Sequence, residues 1–113
     1  MANTFVNKKA DLTSTDATTL YTVPSATTAV IKSILVSEDS GNADTITVTI
    51  TDTDDAVFSL FKTKAISANA TTELLSAPLV VAESEVVKVT AATANRLHVV
   101  LSALEIKPRA VTS

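Results

Sequence analysis

The chain has 113 residues, 46% of them hydrophobic and 19% charged, with a formal net charge of −3 and a mean hydropathy of +0.33. That is the length of one domain, which excludes a two-lobed enzyme, and it is too apolar and too weakly charged to stay disordered. One glycine (Gly41), no cysteine and no tryptophan further exclude a glycine-rich phosphate loop, a disulfide framework, thiolate metal sites and a cysteine nucleophile.

In chain order, residues 1–17 are polar and irregular and read as an N-terminal arm, with an edge strand around Thr4, Phe5 and Val6. The opening residues lack the apolar core of a secretory signal. Residues 18–23 (TTLYTV) predict a strand that stops at Pro24, since proline cannot donate to a ladder. Residues 27–37 (TTAVIKSILVS) predict a long strand closed by Glu38, Asp39, Ser40, Gly41 and Asn42, the strongest turn in the chain.

Residues 45–51 (TITVTIT) carry the clearest period-two signal: Ile46, Val48 and Ile50 face one way and four threonines the other. β-Branched residues restrict χ1 and suit a pleated surface, so both faces favour a strand. Asp52, Thr53, Asp54 and Asp55 turn the chain into a strand over 56–62. An alanine-rich stretch, 65–77, has room for one helical turn, which Asn69 and the Thr71-Thr72 pair oppose. Short strands follow at 71–75 and 79–81, broken by Pro78, then 85–91 (EVVKVTA) and 97–106 (LHVVLSALEI), with Pro108 ending the fold. Residues 26–40 echo faintly at 70–84 (Ala-Thr-Thr, Leu-Val, Ser), a pattern that only a pseudo-symmetric sandwich would use.

About eight short strands with turn signals every 8–12 residues or so describe an all-β fold, a small antiparallel β-sandwich or jelly roll. Residues 18–106 form that sandwich, with extended arms at 1–17 and 107–113. An extended arm of that N-terminal length reaches at most about 55 Å, enough to cross onto a neighbour.

Chemistry is sparse. His98, the single histidine, falls in the most apolar segment, and the residue types around it do not single out a nucleophile for it. Asp52, Asp54 and Asp55 offer the hard oxygens calcium takes, but without the glycine and distal glutamate of an EF-hand; solvated turns are the simpler account. No cofactor is expected. A pI near 4.9 and no basic cluster beyond Lys8-Lys9 argue against nucleic acid, and no apolar run reaches the roughly 18 residues of a membrane helix.

The apolar surplus is larger than one thin core of Val, Ile, Ala and Thr can enclose, so strand surface is expected to meet another subunit. A homo-oligomer follows, closed by two-fold or three-fold symmetry, with a trimer favoured. The contact candidates are Phe5, Val6, Lys8, Lys9 and Leu12 of the first arm and Ile106, Pro108 and Arg109 of the second.

Residues 19–31 (TLYTVPSATTAVI) resemble the opening of small structural proteins of tailed bacteriophages. Residues 70–75 (ATTELL), 78–80 (PLV), 87–91 (VKVTA), 97–100 (LHVV) and 104–106 (LEI) resemble the same group's second half. The resemblance covers about residues 18–106 and implies a β fold, a virion setting assembled in the bacterial cytoplasm, and no catalytic residue. It implies a capsid decoration or cement subunit on the major capsid protein, or alternatively a neck or tail accessory (collar or fibre-attachment) subunit. Members often carry glycine in the turn after the proline and in the turn before the Val-Lys-Val strand. Here those turns read Pro24-Ser25-Ala26 and Ala82-Glu83-Ser84-Glu85, which leaves their geometry open. A carbohydrate-binding or adhesin module is the reading from a different class. It requires an exposed platform built from Tyr21, Phe58 and Phe61, or an ion at the 52–55 turn.

Overall fold

The computed structural model describes residues 2–107, and these form an all-β sandwich of nine strands with no helix. The strands are β1 (Ala2–Asp11), β2 (Thr18–Thr22), β3 (Thr28–Glu38), β4 (Asp44–Thr51), β5 (Val57–Ile66), β6 (Thr71–Glu73), β7 (Leu79–Val81), β8 (Val86–Ala91) and β9 (Leu97–Lys107). One sheet runs β1-β9-β3 and then pairs β3 with both β6 and β7; the other runs β2-β8-β4-β5. Every pairing is antiparallel. The chain changes sheet at every connection except β4–β5 and β6–β7, so the two layers are laced together along the whole sequence.

Alternation builds the core. In β9, Leu97, Val99, Leu101, Ala103 and Glu105 are buried, and the residues between them are only partly covered. β4 repeats the pattern with Ile46, Val48 and Ile50 inward and Thr45, Thr47, Thr49 and Thr51 outward, as its period predicts. Three irregularities adjust the phase. In β3, Ala29 and Ile31 point inward, and then Ile34 and Val36 do; the parity changes because the register with β9 shifts between Ile31 and Ser33, leaving Lys32 as the extra residue. In β2 a shift between Thr19 and Tyr21 lets the consecutive residues Leu20 and Tyr21 both be buried. In β5 one shift against β4 accommodates Thr63, whose φ is 50° and whose N–H donates to Thr47 Oγ1 at 3.0 Å, and a second leaves Leu60 as an extra residue.

That last irregularity explains why the strand expected over 56–62 continues to Ile66: the bulge at Thr63 breaks the alternation but not the pairing. The alanine-rich stretch holds no helical turn; Ala65 and Ile66 belong to β5, and the chain reverses through Asn69 at φ 55°. The first segment also departs from the irregular arm expected. Residues 2–11 pair with β9 over ten consecutive positions, far beyond Thr4–Val6, because β9 would otherwise present an unpaired edge. The echo at 26–40 and 70–84 has a different meaning from symmetry. The first copy is the continuous strand β3, and the second breaks into β6 and β7, which both lie against it.

The turns with uncertain geometry are now defined. Ala26 has φ 53° and Ser84 has φ 66°, both in the left-handed region that costs an L-residue energy. These are the two turns where the resembling phage proteins often carry glycine. The turns touch, since the Ala26 N–H donates to the Glu83 carboxylate and the Ser84 N–H to Val23 O at 2.9 Å.

Two outcomes follow from these backbone features. Ala26→Gly and Ser84→Gly should each leave stability unchanged or raise it by up to about 1 kcal/mol in urea unfolding, since relief of left-handed strain competes with glycine's extra chain entropy. Deleting Lys32 should leave a cooperatively folding protein, because Ile31 and Ser33 then join with correct inward–outward phase; deleting Leu35 should abolish folding, because it turns Val36 outward. Thermal melts followed by circular dichroism separate the two deletions.

Candidate functional site

Tyr21 is 2% exposed, and its hydroxyl donates to Glu105 Oε2 at 2.6 Å, joining β2 of one sheet to β9 of the other. Burial, followed by the hydrogen bond and the charge of Glu105, pushes the phenol well above its ordinary range, so it stays protonated and remains a donor. Lys8 Nζ stands 5.9 Å from the ring centroid at the same flank, and Lys107 Nζ lies 3.9 Å from Glu105 Oε1. This is an inter-sheet tie with nothing left free to react.

The carboxylates are mostly spoken for by backbone. Glu38 is 2% exposed and accepts the N–H groups of Ser40, Gly41, Asn42 and Asn69 at 2.8–3.1 Å, as well as the Ser40 hydroxyl. Burial alone would raise its pKa; the donors from Ser40, Asn69 and Gly41 outweigh that and hold it near 2. Glu73 fills the gap between β6 and β7, accepting from Ile34 N at 2.8 Å, Leu75 N at 3.2 Å and the Ser33 hydroxyl, and these bonds lower its pKa against the opposing effect of burial. Asp44 accepts from Thr93 N at 3.0 Å, and Glu85 from Ala82 N at 2.8 Å.

The calcium candidates resolve the same way. Asp52 Oδ1 accepts the N–H groups of Asp54 and Ala56, both at 2.9 Å, while Asp55 closes the turn at φ 62°. Among the described residues no three His, Cys, Asp or Glu side chains are placed to hold a metal ion. Of the three carboxylates, that of Asp52 therefore braces the turn from within.

His98 sits on the outer face of β9, with Nε2 3.2 Å from Asp11 Oδ1 and Nδ1 3.5 Å from Asp39 Oδ2. Both ring nitrogens thus face carboxylates. The cluster ties the end of β1 and the β3–β4 turn to β9.

The contact candidates distribute unevenly. Phe5 is 79% exposed, and Lys9 and Ile106 share its outward face; Val6 packs against the core from the inner face of β1. Leu12 corrects the expectation of a surface contact: it is 1% exposed, its N–H donates to Leu97 O at 3.0 Å, and its carbonyl accepts from Asn95 N at 2.8 Å. A leucine directly after a strand has the reach to cap the open end of the sandwich. Pro108 and Arg109 lie outside the described residues.

The exposed apolar surface falls in two places. On the outer face of the first sheet, Phe5, Leu104, Val30 and Val80 pair in register across β1, β9, β3 and β7. On the lateral edge of the other sheet, Val57 and Phe58 of β5 are 61% and 55% exposed. Near them Leu60, Phe61, Leu74, Leu75, Pro78 and Leu79 line a groove of about 270 Å³ between β5 and the β6–β7 segment. Sequence reasoning missed Val57 and Val80, and named Phe58 only for an aromatic platform, because a strand edge and an outer face follow from the pairing order, which no local pattern reveals. The aromatic platform is not assembled: Tyr21 is buried, Phe61 is partly buried, and Phe58 lies on the strand edge opposite to Phe5.

No family model matches this chain, and no curated protein matches it. Among solved structures it is similar to a chain titled "Cyanophage Pam1 capsid asymmetric unit", with a TM-score of 0.43 and 18% identity over 94% of this chain and 86% of that chain.

The Glu38 turn carries a pH signature. A carboxylate whose folded pKa is lowered from 4.5 to about 2 contributes stability that is fully present above pH 4.5 and is lost as pH falls toward 2. Glu38→Gln should destabilise the protein at pH 7 and flatten the loss of stability between pH 4.5 and 2, leaving the part due to Glu73. Urea midpoints measured across that range check it.

Proposed function

We propose that this chain is a non-enzymatic virion structural protein of a tailed bacteriophage, acting as a decoration or cement subunit on the assembled shell. The observation that carries the reading is the division of labour among side chains. Half of the carboxylates hold backbone N–H groups and the histidine is bracketed by two others on the surface of β9, while large apolar residues are left exposed on an outer sheet face and on a lateral edge. A surface of that kind binds by burial, not by chemistry. The sequence resemblance over residues 18–106 supplies the virion setting. It is supported by the left-handed Ala26 and Ser84, which stand in the turns where the resembling proteins favour glycine.

In this reading the Val57–Phe58 edge and its apolar groove meet the shell. Binding to the folded lattice then stabilises it by mass action. The neck or tail accessory role is the second reading, distinguished by stoichiometry alone.

Shells assembled without this protein, mixed with the purified chain and imaged by cryo-EM, should acquire density in proportion to the shell protein. Phe58→Glu should lower that occupancy with no change in the melting temperature of the free protein. Density confined to the tail vertex moves the assignment to the neck, and no density anywhere on the particle overturns the virion reading.

A further inference from the structure

β1 is held differently from the other long strands. None of residues 3–11 is buried, and only Val6 and Ala10 pack against the core. Asn3, Asn7, Lys8, Lys9 and Asp11 are also poor strand formers, so the segment is extended because β9 pairs with it and not by its own preference. It is the edge strand of its sheet. Its contacts outside the ladder include Asp11 to His98 at 3.2 Å and Lys8 over the Tyr21 ring at 5.9 Å, and both depend on exposed side chains, where such pairs are weak. A strand with many backbone bonds and few apolar contacts gains little against the entropy of ordering its ten residues.

β9 keeps its place without β1. Its inward residues Leu97, Val99, Leu101 and Ala103 belong to the core, and its other edge pairs with β3 over ten positions. The hold on the chain changes abruptly at Leu12. That residue is 1% exposed, its N–H donates to Leu97 O at 3.0 Å, and its carbonyl accepts from Asn95 N at 2.8 Å. Side chain and both backbone groups thus fix the chain at the end of the sandwich, one residue past β1. Between Asp11 and Leu12, a strand held by pairing gives way to chain held by the core.

We propose that β1 is a strap: residues 2–11 open from β9 as a unit while the sandwich stays folded, and Leu12 is the clasp at which opening stops. The open form bares the β1-facing edge of β9, a row of unpaired N–H and C=O groups of the kind that accepts an added strand. The strap therefore sets whether that edge is available. It stands apart from the virion reading, and neither depends on the other.

The backbone makes opening readable residue by residue. Leu97 faces the β1 side, because its carbonyl accepts from Leu12 N. The Ile34 N–H turns away from β9 to Glu73, so its partner Leu101 also faces β1. N–H groups along a central antiparallel strand point alternately to its two neighbours. Those of Val99, Leu101 and Ala103 therefore bond to β1, and those of Val100, Ser102 and Leu104 bond to β3.

Hydrogen exchange followed by NMR on the full chain should split β9 by parity. The amides of Val99, Leu101 and Ala103 should be protected at least about thirtyfold less than those of Val100, Ser102 and Leu104, with little dependence on urea, and the bonded amides of β1 should join them. The Leu12 amide should stay in the slow class. Ile46→Val, a mild change in the core of the other sheet, should speed the slow class about threefold to tenfold and leave the fast class unchanged. The strap and closed forms both keep the Ile46 contacts, so only global unfolding feels their loss. Equal protection of the two β9 sets, a fast class that follows Ile46→Val in step with the slow one, or a Leu12 amide that opens with β1 would overturn the strap.

Discussion

β9 holds the structure in one register. It pairs with β1 over ten positions on one side and with β3 over ten on the other, while its inward residues Leu97, Val99, Leu101 and Ala103 supply the middle of the core. A slip of one residue would turn those four apolar residues to water and carry Val100, Leu104 and Ile106 inside together with His98 and Ser102, so its cost falls on the polar side chains buried without partners. The outward Phe5, the bracketed histidine and the buried Tyr21–Glu105 tie all inherit their positions from that register.

With one glycine, the chain needs another way to make its turns. It places non-glycine residues in left-handed conformations at Ala26, Asp55, Asn69, Ser84 and Asn95 and holds most of these turns with side-chain acceptors. Six of the twelve acidic residues (Glu38, Asp44, Asp52, Glu73, Glu83 and Glu85) accept backbone N–H groups in loops or ladder gaps. Among the described residues no buried side-chain polar atom is left without a partner. Half of the acidic composition is therefore internal architecture, and at Glu38 and Glu73, whose pKa values these bonds lower, the contribution holds while the carboxylate stays ionised.

Much of the fold was legible from residues alone. Period-two alternation located β2, β3, β4, β8 and β9 to within a residue or so, because each buries one face and polar residues mark the other. Pro78 and the acidic turns marked the breaks. What was hidden is non-local or conformational. The bulges at Lys32 and Thr63 change phase without any signature in residue type. The length of β1 follows from the need to cover β9, not from its own polar sequence. Leu12 read as surface because its burial depends on a turn more than 80 residues away, through its bond to Asn95. Of the contact candidates, Phe5 could be singled out as a lone aromatic in a polar segment, whereas Val80 and Val57 became visible only once the sheet order placed them at the outside.

The pairing of Ala2 with Lys107 brings the two ends of the described chain side by side at one corner of the β1-β9 edge. A short flexible linker would close the backbone into a ring without crossing either sheet, and the exposed 52–55 turn offers a place to reopen it. That corner lies at the opposite end of β9 from His98, so joining Ala2 to Lys107 would leave the bracketed histidine untouched.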